Sequence, residues 1–166
     1  MNTMQRIVSH LLSPGWLMRK RFPAAVLTDI ERTIATTERE HGGEVRFVVE
    51  HALDPQQLWA RLSSRERALQ IFGQLRVWDT EVNNGILIYV LLAERAVEIV
   101  ADRGIARAVP QAEWDTLCEK VRQSFAAGAF REGALLSIEG AAGLLRRHFP
   151  VAGARSNELP DQPVLL

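Results

Sequence analysis

The segment Asp79 to Gly85 reads DTEVNNG and places Asp79, Glu81, Asn83 and Asn84 in one short span. Carboxylate and amide oxygens at this density suit a hard divalent cation, Ca2+ or Mg2+, which takes its ligands from carboxylates, amide and backbone carbonyls and water. The loop is not an EF-hand. That motif needs glycine at its sixth position and a carboxylate at its twelfth, whereas Gly85 is seventh and Val90 twelfth here. The alternative reading is a solvated turn in which Asp and Asn bond their own backbone. A second polar turn, Asp102-Arg103-Gly104, offers one more carboxylate and a guanidinium.

Other chemistry is thin. The single cysteine, Cys118, excludes an internal disulfide and a multi-cysteine zinc site. It lies on an apolar helical stripe and reads as core. His41 and His51 flank one strand, too far apart to share a zinc ion, and read as surface histidines. No G-x-S-x-G turn or phosphate-cradling glycine loop is present, and nothing assembles a nucleophile, a base and an oxyanion hole. Trp16, Trp59, Trp78 and Trp114 read as core or interface residues. Trp78, just ahead of the acidic loop, is the one that could instead wall a shallow pocket.

These residues sit in a chain of 166 with 20 Lys+Arg, 20 Asp+Glu and 47% apolar content. That length and composition suit one globular domain. Zero net charge lacks the basic footprint of a nucleic-acid binder. No run approaches the length of a transmembrane helix, and no motif calls for an organic cofactor. One cysteine fits a reducing, cytoplasmic setting. Residues 1–21 form an amphipathic segment broken at Pro14-Gly15 and closed by Arg19-Lys20-Arg21. The charges follow the apolar part, unlike a signal peptide. Trp16 beside three bases could touch an anionic membrane, peripherally at its inner face. The plainer reading is a helix packed on the domain with a basic rim.

The elements that must position the loop follow from periodicity. A helix is expected from about Pro23 to His41, stopped by Gly42-Gly43. A strand follows over 44–51, with Val45, Phe47 and Val49 on one face and Arg46, Val48 and Glu50 on the other. Asp54-Pro55 opens a helical turn. Ser63 or Ser64 caps a helix to about Arg76, with Arg65, Glu66 and Arg67 facing outward. Ile86 to Leu92 is apolar throughout, which marks a central strand. A turn at Ala93-Glu94 leads to a third strand over 95–101, ended by Asp102-Arg103-Gly104. Helices over 110–126 and 130–148 complete a domain of residues 22–150. Residues 151–166 form a tail that Val164, Leu165 and Leu166 could dock.

The crossover makes the first two strands parallel, and the second and third form a hairpin. The expected fold is α/β: a three-layer α/β/α sandwich with a small mixed sheet flanked by helices. In this topology Asp79, Glu81, Asn83 and Asn84 approach Asp102 and Arg103. If the first two strands are neighbours, Glu38, His41 and Glu44 reach the same edge. One consideration opposes a site there, because ligands of open α/β sheets usually sit at the carboxyl ends of parallel strands.

The stretch RVWDTEVNNGILIYVLLAERAVEIVADRGI, Arg76 to Ile105, resembles the TPM domain family, with its N-G strand start, acidic turn and strand ending in glycine. The resemblance spans roughly Phe22 to Phe149. It implies an α/β/α sandwich. It also implies divalent-cation binding by some members, which would fall here on Asp79, Glu81, Asn84 and Asp102. Acid phosphatase activity, known in a thylakoid-lumen relative, is a further implication that brings no catalytic residue with it. The expectation is therefore a binding or adaptor module for an unidentified protein partner, holding Ca2+ or Mg2+ at its acidic edge. Two alternatives are a weak metal-dependent phosphatase, with Arg103 neutralising charge, and a membrane-peripheral protein acting through residues 1–21.

Overall fold

The computed structural model describes residues 3–151, 153 and 156–166. Two short helices open the chain, α1 (Thr3–Leu11) and α2 (Gly15–Arg21), followed by α3 (Ala24–Thr37) and a 3-10 turn (Glu38–Glu40). Strand β1 (Glu44–Glu50) leads through α4 (Pro55–Trp59) and α5 (Ser64–Gln74) to the hairpin of β2 (Gly85–Leu91) and β3 (Ala96–Ala101). Helices α6 (Arg103–Ala108), α7 (Gln111–Ala126) and α8 (Phe130–His148) precede a short final strand, β4 (Val164–Leu165). Capping boxes set the starts of α4 (Asp54 with Gln57) and α5 (Ser63 with Glu66), so backbone donors that lack helical partners are satisfied locally.

The sheet has the order β3-β2-β1-β4, with β1 parallel to β2 and to β4, and β2 antiparallel to β3. Both central strands are buried at every residue. Alternate side chains serve two cores, as the period of two requires. Val45, Phe47, Val49, Ile86, Ile88 and Val90 pack with residues of α3, α7 and α8. Val48, Leu87, Tyr89 and Leu91 pack on the other side with Leu58 of α4, Ala68 and Ile71 of α5 and Leu159 of the tail. This is the expected sandwich.

Three expectations change. Asp102-Arg103-Gly104 does not merely end a strand. The Asp102 carboxylate accepts from the Arg103 N–H at 2.7 Å and caps α6. Arg67 does not face outward; it grips Glu50 on β1 through two nitrogens, at 2.7 and 2.9 Å. The Tyr89 hydroxyl donates to the same carboxylate at 2.5 Å. Burial and then this bond push the Tyr89 phenol upward, while the bond to Glu50 raises Arg67. Of the four tryptophans only Trp114 is buried; Trp16, Trp59 and Trp78 are exposed. The tail docks as a strand beside β1, where Arg46 donates to the Pro160 and Gln162 carbonyls and the Glu44 carboxylate accepts from the Glu158 and Leu159 N–H groups. Burial lowers the Arg46 pKa, with Asp161 and Glu38 opposing it.

Helix α1 does pack on the domain, but through polar residues. Arg6 donates to Glu94 at 2.7 Å and to the Leu62 carbonyl. His10 is buried, and its Nδ1 accepts from the Leu53 N–H at 3.0 Å. Its proton is therefore on Nε2, which donates to Glu94 at 2.9 Å. Burial works to raise the Glu94 carboxyl, but the bonds from His10 and Arg6, with the Arg6 charge, hold it below its usual value. A depressed folded pKa gives stability above the unfolded value, lost as pH falls through the folded one. Helix α1 should therefore loosen below about pH 4.5. Faster amide exchange in α1 on acidification, reproduced at neutral pH by Glu94→Gln, checks this. Unchanged exchange in Glu94→Gln would contradict it.

Candidate functional site

The site candidates gather where β1 and β2 begin and β3 ends. Gly85 opens β2 opposite Asp102, whose N–H donates to the Gly85 carbonyl at 2.8 Å. One residue back, the Asn84 carbonyl accepts from the Glu44 N–H at 2.9 Å, which ties the loop to β1. The loop also lies flush on α6, because the Gly104 N–H donates to the Asn83 carbonyl at 3.0 Å. Asn83 takes a left-handed backbone (φ 55°), a conformation asparagine tolerates better than most residues. Two glycines make the approach possible. A Cβ on Gly85 would lie 1.9 Å from the Val77 carbonyl oxygen, and one on Gly104 would lie 2.5 Å from that of Asn83.

Asn84 is wholly buried. Its amide nitrogen donates to the Gly42 carbonyl at 2.8 Å, and its own N–H bonds the Thr80 hydroxyl at 3.0 Å. Only the NH2 can donate to a carbonyl, so the orientation is fixed and Oδ1 is left as an acceptor. Among the described residues, that Oδ1 is buried without a hydrogen-bond partner. Asp102 repeats the situation. It is 6% exposed, Oδ1 is spent on the α6 cap, and Oδ2 is buried with no donor among the described residues. Buried polar atoms almost always have partners, so two orphaned acceptors on adjoining segments ask for a water or an ion.

The other candidates are placed differently. Asp79 and Glu81 are exposed, and the Glu81 N–H is bound by the Glu158 carboxylate at 2.8 Å. Glu44 is buried against the tail. Glu38 accepts from the Val45 N–H at 2.7 Å. His41 is not a surface residue; it is fully buried, and its Nδ1 accepts from the Gly43 N–H at 3.2 Å. Its neighbour Gly42 receives the Asn84 amide, so the imidazole segment and the loop do meet. Arg103 is exposed and reaches the Asn83 side-chain oxygen at 3.4 Å. With Arg107, Val82, Asn83 and Gly104 it lines a cleft of about 370 Å³. Trp78 is half exposed and carries no part of that cleft's lining. Among the described residues, no group of three or more His, Cys, Asp or Glu side chains converges as a metal cage. Sequence reasoning missed Glu158, whose contribution depends on the tail folding back, and Arg107, whose helix it did not anticipate. Cys118 is partly buried against the core; burial and then the Glu98 charge push its thiol up to about 11, so it is no ready nucleophile.

The comparisons with known proteins agree with this architecture. The NMR structure of BA42 protein from the psychrophilic bacteria Bizionia argentinensis is similar, with a TM-score of 0.75 and 28% identity over 86% of this chain and 93% of that one. No curated protein matches the chain. The family model described as the TPM domain matches residues 20–144, three-quarters of the sequence. The chain belongs to the TPM domain family.

Proposed function

We propose that the protein is a binding module of the TPM type that holds a divalent cation, Ca2+ or Mg2+, at the edge formed by Asn84 and Asp102. The observation that carries this reading is the pair of buried oxygen acceptors without donors, Asn84 Oδ1 and Asp102 Oδ2. A hard cation takes such oxygens directly and completes its shell with water and outer carboxylates. Asp79 and Glu81 are the exposed acids of the same loop and would supply that outer charge. A cation bound only by the folded state stabilises it. At about 100 times Kd the gain is about 2.7 kcal/mol, or roughly 5–10 °C in Tm. Asp102→Asn is the discriminating variant, because asparagine caps a helix as well as aspartate does while the charge and the second acceptor oxygen are lost. The wild type should melt higher in millimolar calcium or magnesium, and Asp102→Asn should lose most of that increment. An increment equal in both proteins would remove Asp102 from the site.

A second reading, metal-dependent hydrolysis of phosphomonoesters, is favoured by the cleft holding Arg103, the residue after Asp102, and Arg107, one turn further along α6. Two guanidiniums there suit a phosphoryl group, and a cation would add Lewis acidity. Activity on an aryl phosphate should then fall in both Asp102→Asn and Arg103→Gln. Activity that survives both substitutions would belong to a contaminant and end this reading.

A further inference from the structure

Helix α1 is mounted with its apolar side outward. Met4, Val8, Leu11 and Leu12 recur at helical spacing and are 71%, 44%, 67% and 74% exposed. Trp16 on α2 adds 62%. A surface helix ordinarily turns such a stripe toward the core. Here the opposite side is held instead, by Arg6 and His10 on Glu94, by Arg6 on the Leu62 carbonyl and by His10 on the Leu53 N–H. The segment gripped at both ends, Leu53 to Leu62, carries Trp59, which is 89% exposed. The outward stripe is thus set by polar contacts on the opposite side of α1.

Within residues 1–28 every charged side chain is basic, and Arg6 among them is paired with Glu94 of the domain. Arg6, Arg19, Lys20 and Arg21 precede the first acidic residue, Asp29, in a chain whose net charge is zero. Arg19 and Lys20 are exposed and form no ion pair among the described residues. Arg21 lies over the Phe130 ring at 4.6 Å, which fastens α2 to α8. Burial, and after it the nearby Arg95 charge, lowers the Arg21 pKa.

We propose that α1 and α2 form a docking surface for an anionic lipid bilayer, with Met4, Val8, Leu11, Leu12 and Trp16 entering the headgroup boundary and Arg19, Lys20 and Arg21 meeting phosphates. Exposed apolar side chains, tryptophan and a basic rim are the combination that an anionic interface rewards. A second copy is the poorer occupant, since a two-fold contact sets the basic rim against itself. Docking needs no unfolding, because the residues that hold α1 to the domain are not those that face the lipid.

The test is co-sedimentation of the full chain with vesicles of phosphatidylcholine, alone or mixed with phosphatidylglycerol, in the presence of EDTA. The wild type should sediment with the anionic vesicles and not with the neutral ones, and salt should weaken it. Leu12→Glu should abolish sedimentation while melting like the wild type, since residue 12 is exposed. Arg19→Gln with Lys20→Gln should weaken partitioning by roughly 25-fold at low ionic strength. Failure of the wild type to sediment with anionic vesicles overturns the proposal. So does sedimentation that Leu12→Glu leaves unchanged, or that EDTA abolishes. A lipid-free dimer that Leu12→Glu dissociates would assign the stripe to self-association and overturn it as well. The EDTA arm keeps this result independent of the cation at Asn84 and Asp102.

Discussion

Arg67→Met is expected to destabilise the protein by about 3 kcal/mol, the low end for breaking a buried ion pair from one side. The side chains of Arg67 and Glu50 are only 12% and 6% exposed, and Tyr89 is fully buried beneath them. Methionine fills much of the arginine volume, so the cost arises chiefly from the Glu50 carboxylate left in a dry place with one remaining donor, Tyr89. The melting temperature should fall by roughly 10 °C for a chain of this size. The double variant Arg67→Met with Glu50→Gln should recover part of the loss, because glutamine carries no charge to strand and still accepts from Tyr89. Urea denaturation of the four proteins forms a double-mutant cycle. A loss under about 1 kcal/mol for Arg67→Met would mean that the pair behaves as a solvated surface contact.

Gly85→Ala should be comparably damaging, at about 3 kcal/mol, the upper range for overpacking. The added Cβ would meet the Val77 carbonyl oxygen at 1.9 Å, and Val77 is itself wholly buried. Backbone must move, and what moves is the loop that carries Asn84 or the first residues of β2. The cation response should therefore disappear together with stability. Gly73→Ala is the internal control. Nothing lies within 4 Å of a Cβ there, and the residue is inside α5, so alanine should stabilise by about 0.5 kcal/mol. Equal and small effects at both positions would refute the close loop packing.

The same contrast explains what the sequence could and could not reveal. The unbroken apolar run after Gly85 announced a strand buried on both faces, and β2 is one of the two interior strands of the sheet. Parallel β1–β2 and the β2–β3 hairpin follow from the connections, and they place the loop beside Asp102 as expected. Helix α6 was hidden because its six residues include Gly104 and two arginines, so the segment has a turn composition; the available signal was Asp102 as an N-cap. His41 looked like a surface residue beside two glycines, yet those glycines let the chain pass close to Phe149 and Leu145 and bury the imidazole. Arg67 looked solvated and Glu50 merely shared a strand face with Arg46 and Val48, since local pattern cannot show that two charges on different elements face each other. The tail's contribution at Glu44, Arg46 and Glu81 depends on chain return over long separation, for which local sequence carries no signal. At the edge itself, residue types gave the chemistry, but only burial separates Asn84 and Asp102 from the exposed Asp79 and Glu81.

No described helix is long and apolar enough to cross a membrane. The α1–α2 surface and the Asn84–Asp102 edge rest on separate observations and stand or fall separately.

The most direct test of the cation site is a calcium and magnesium titration of isotopically labelled protein followed by amide NMR shifts. The account predicts saturable shifts concentrated in Asp79–Gly85 and Asp102–Gly104, largest next to Asn84 and Asp102, and their loss in Asp102→Asn. No shifts in these segments up to millimolar metal, or shifts scattered over surface carboxylates elsewhere, would contradict it and leave the two buried oxygens to water.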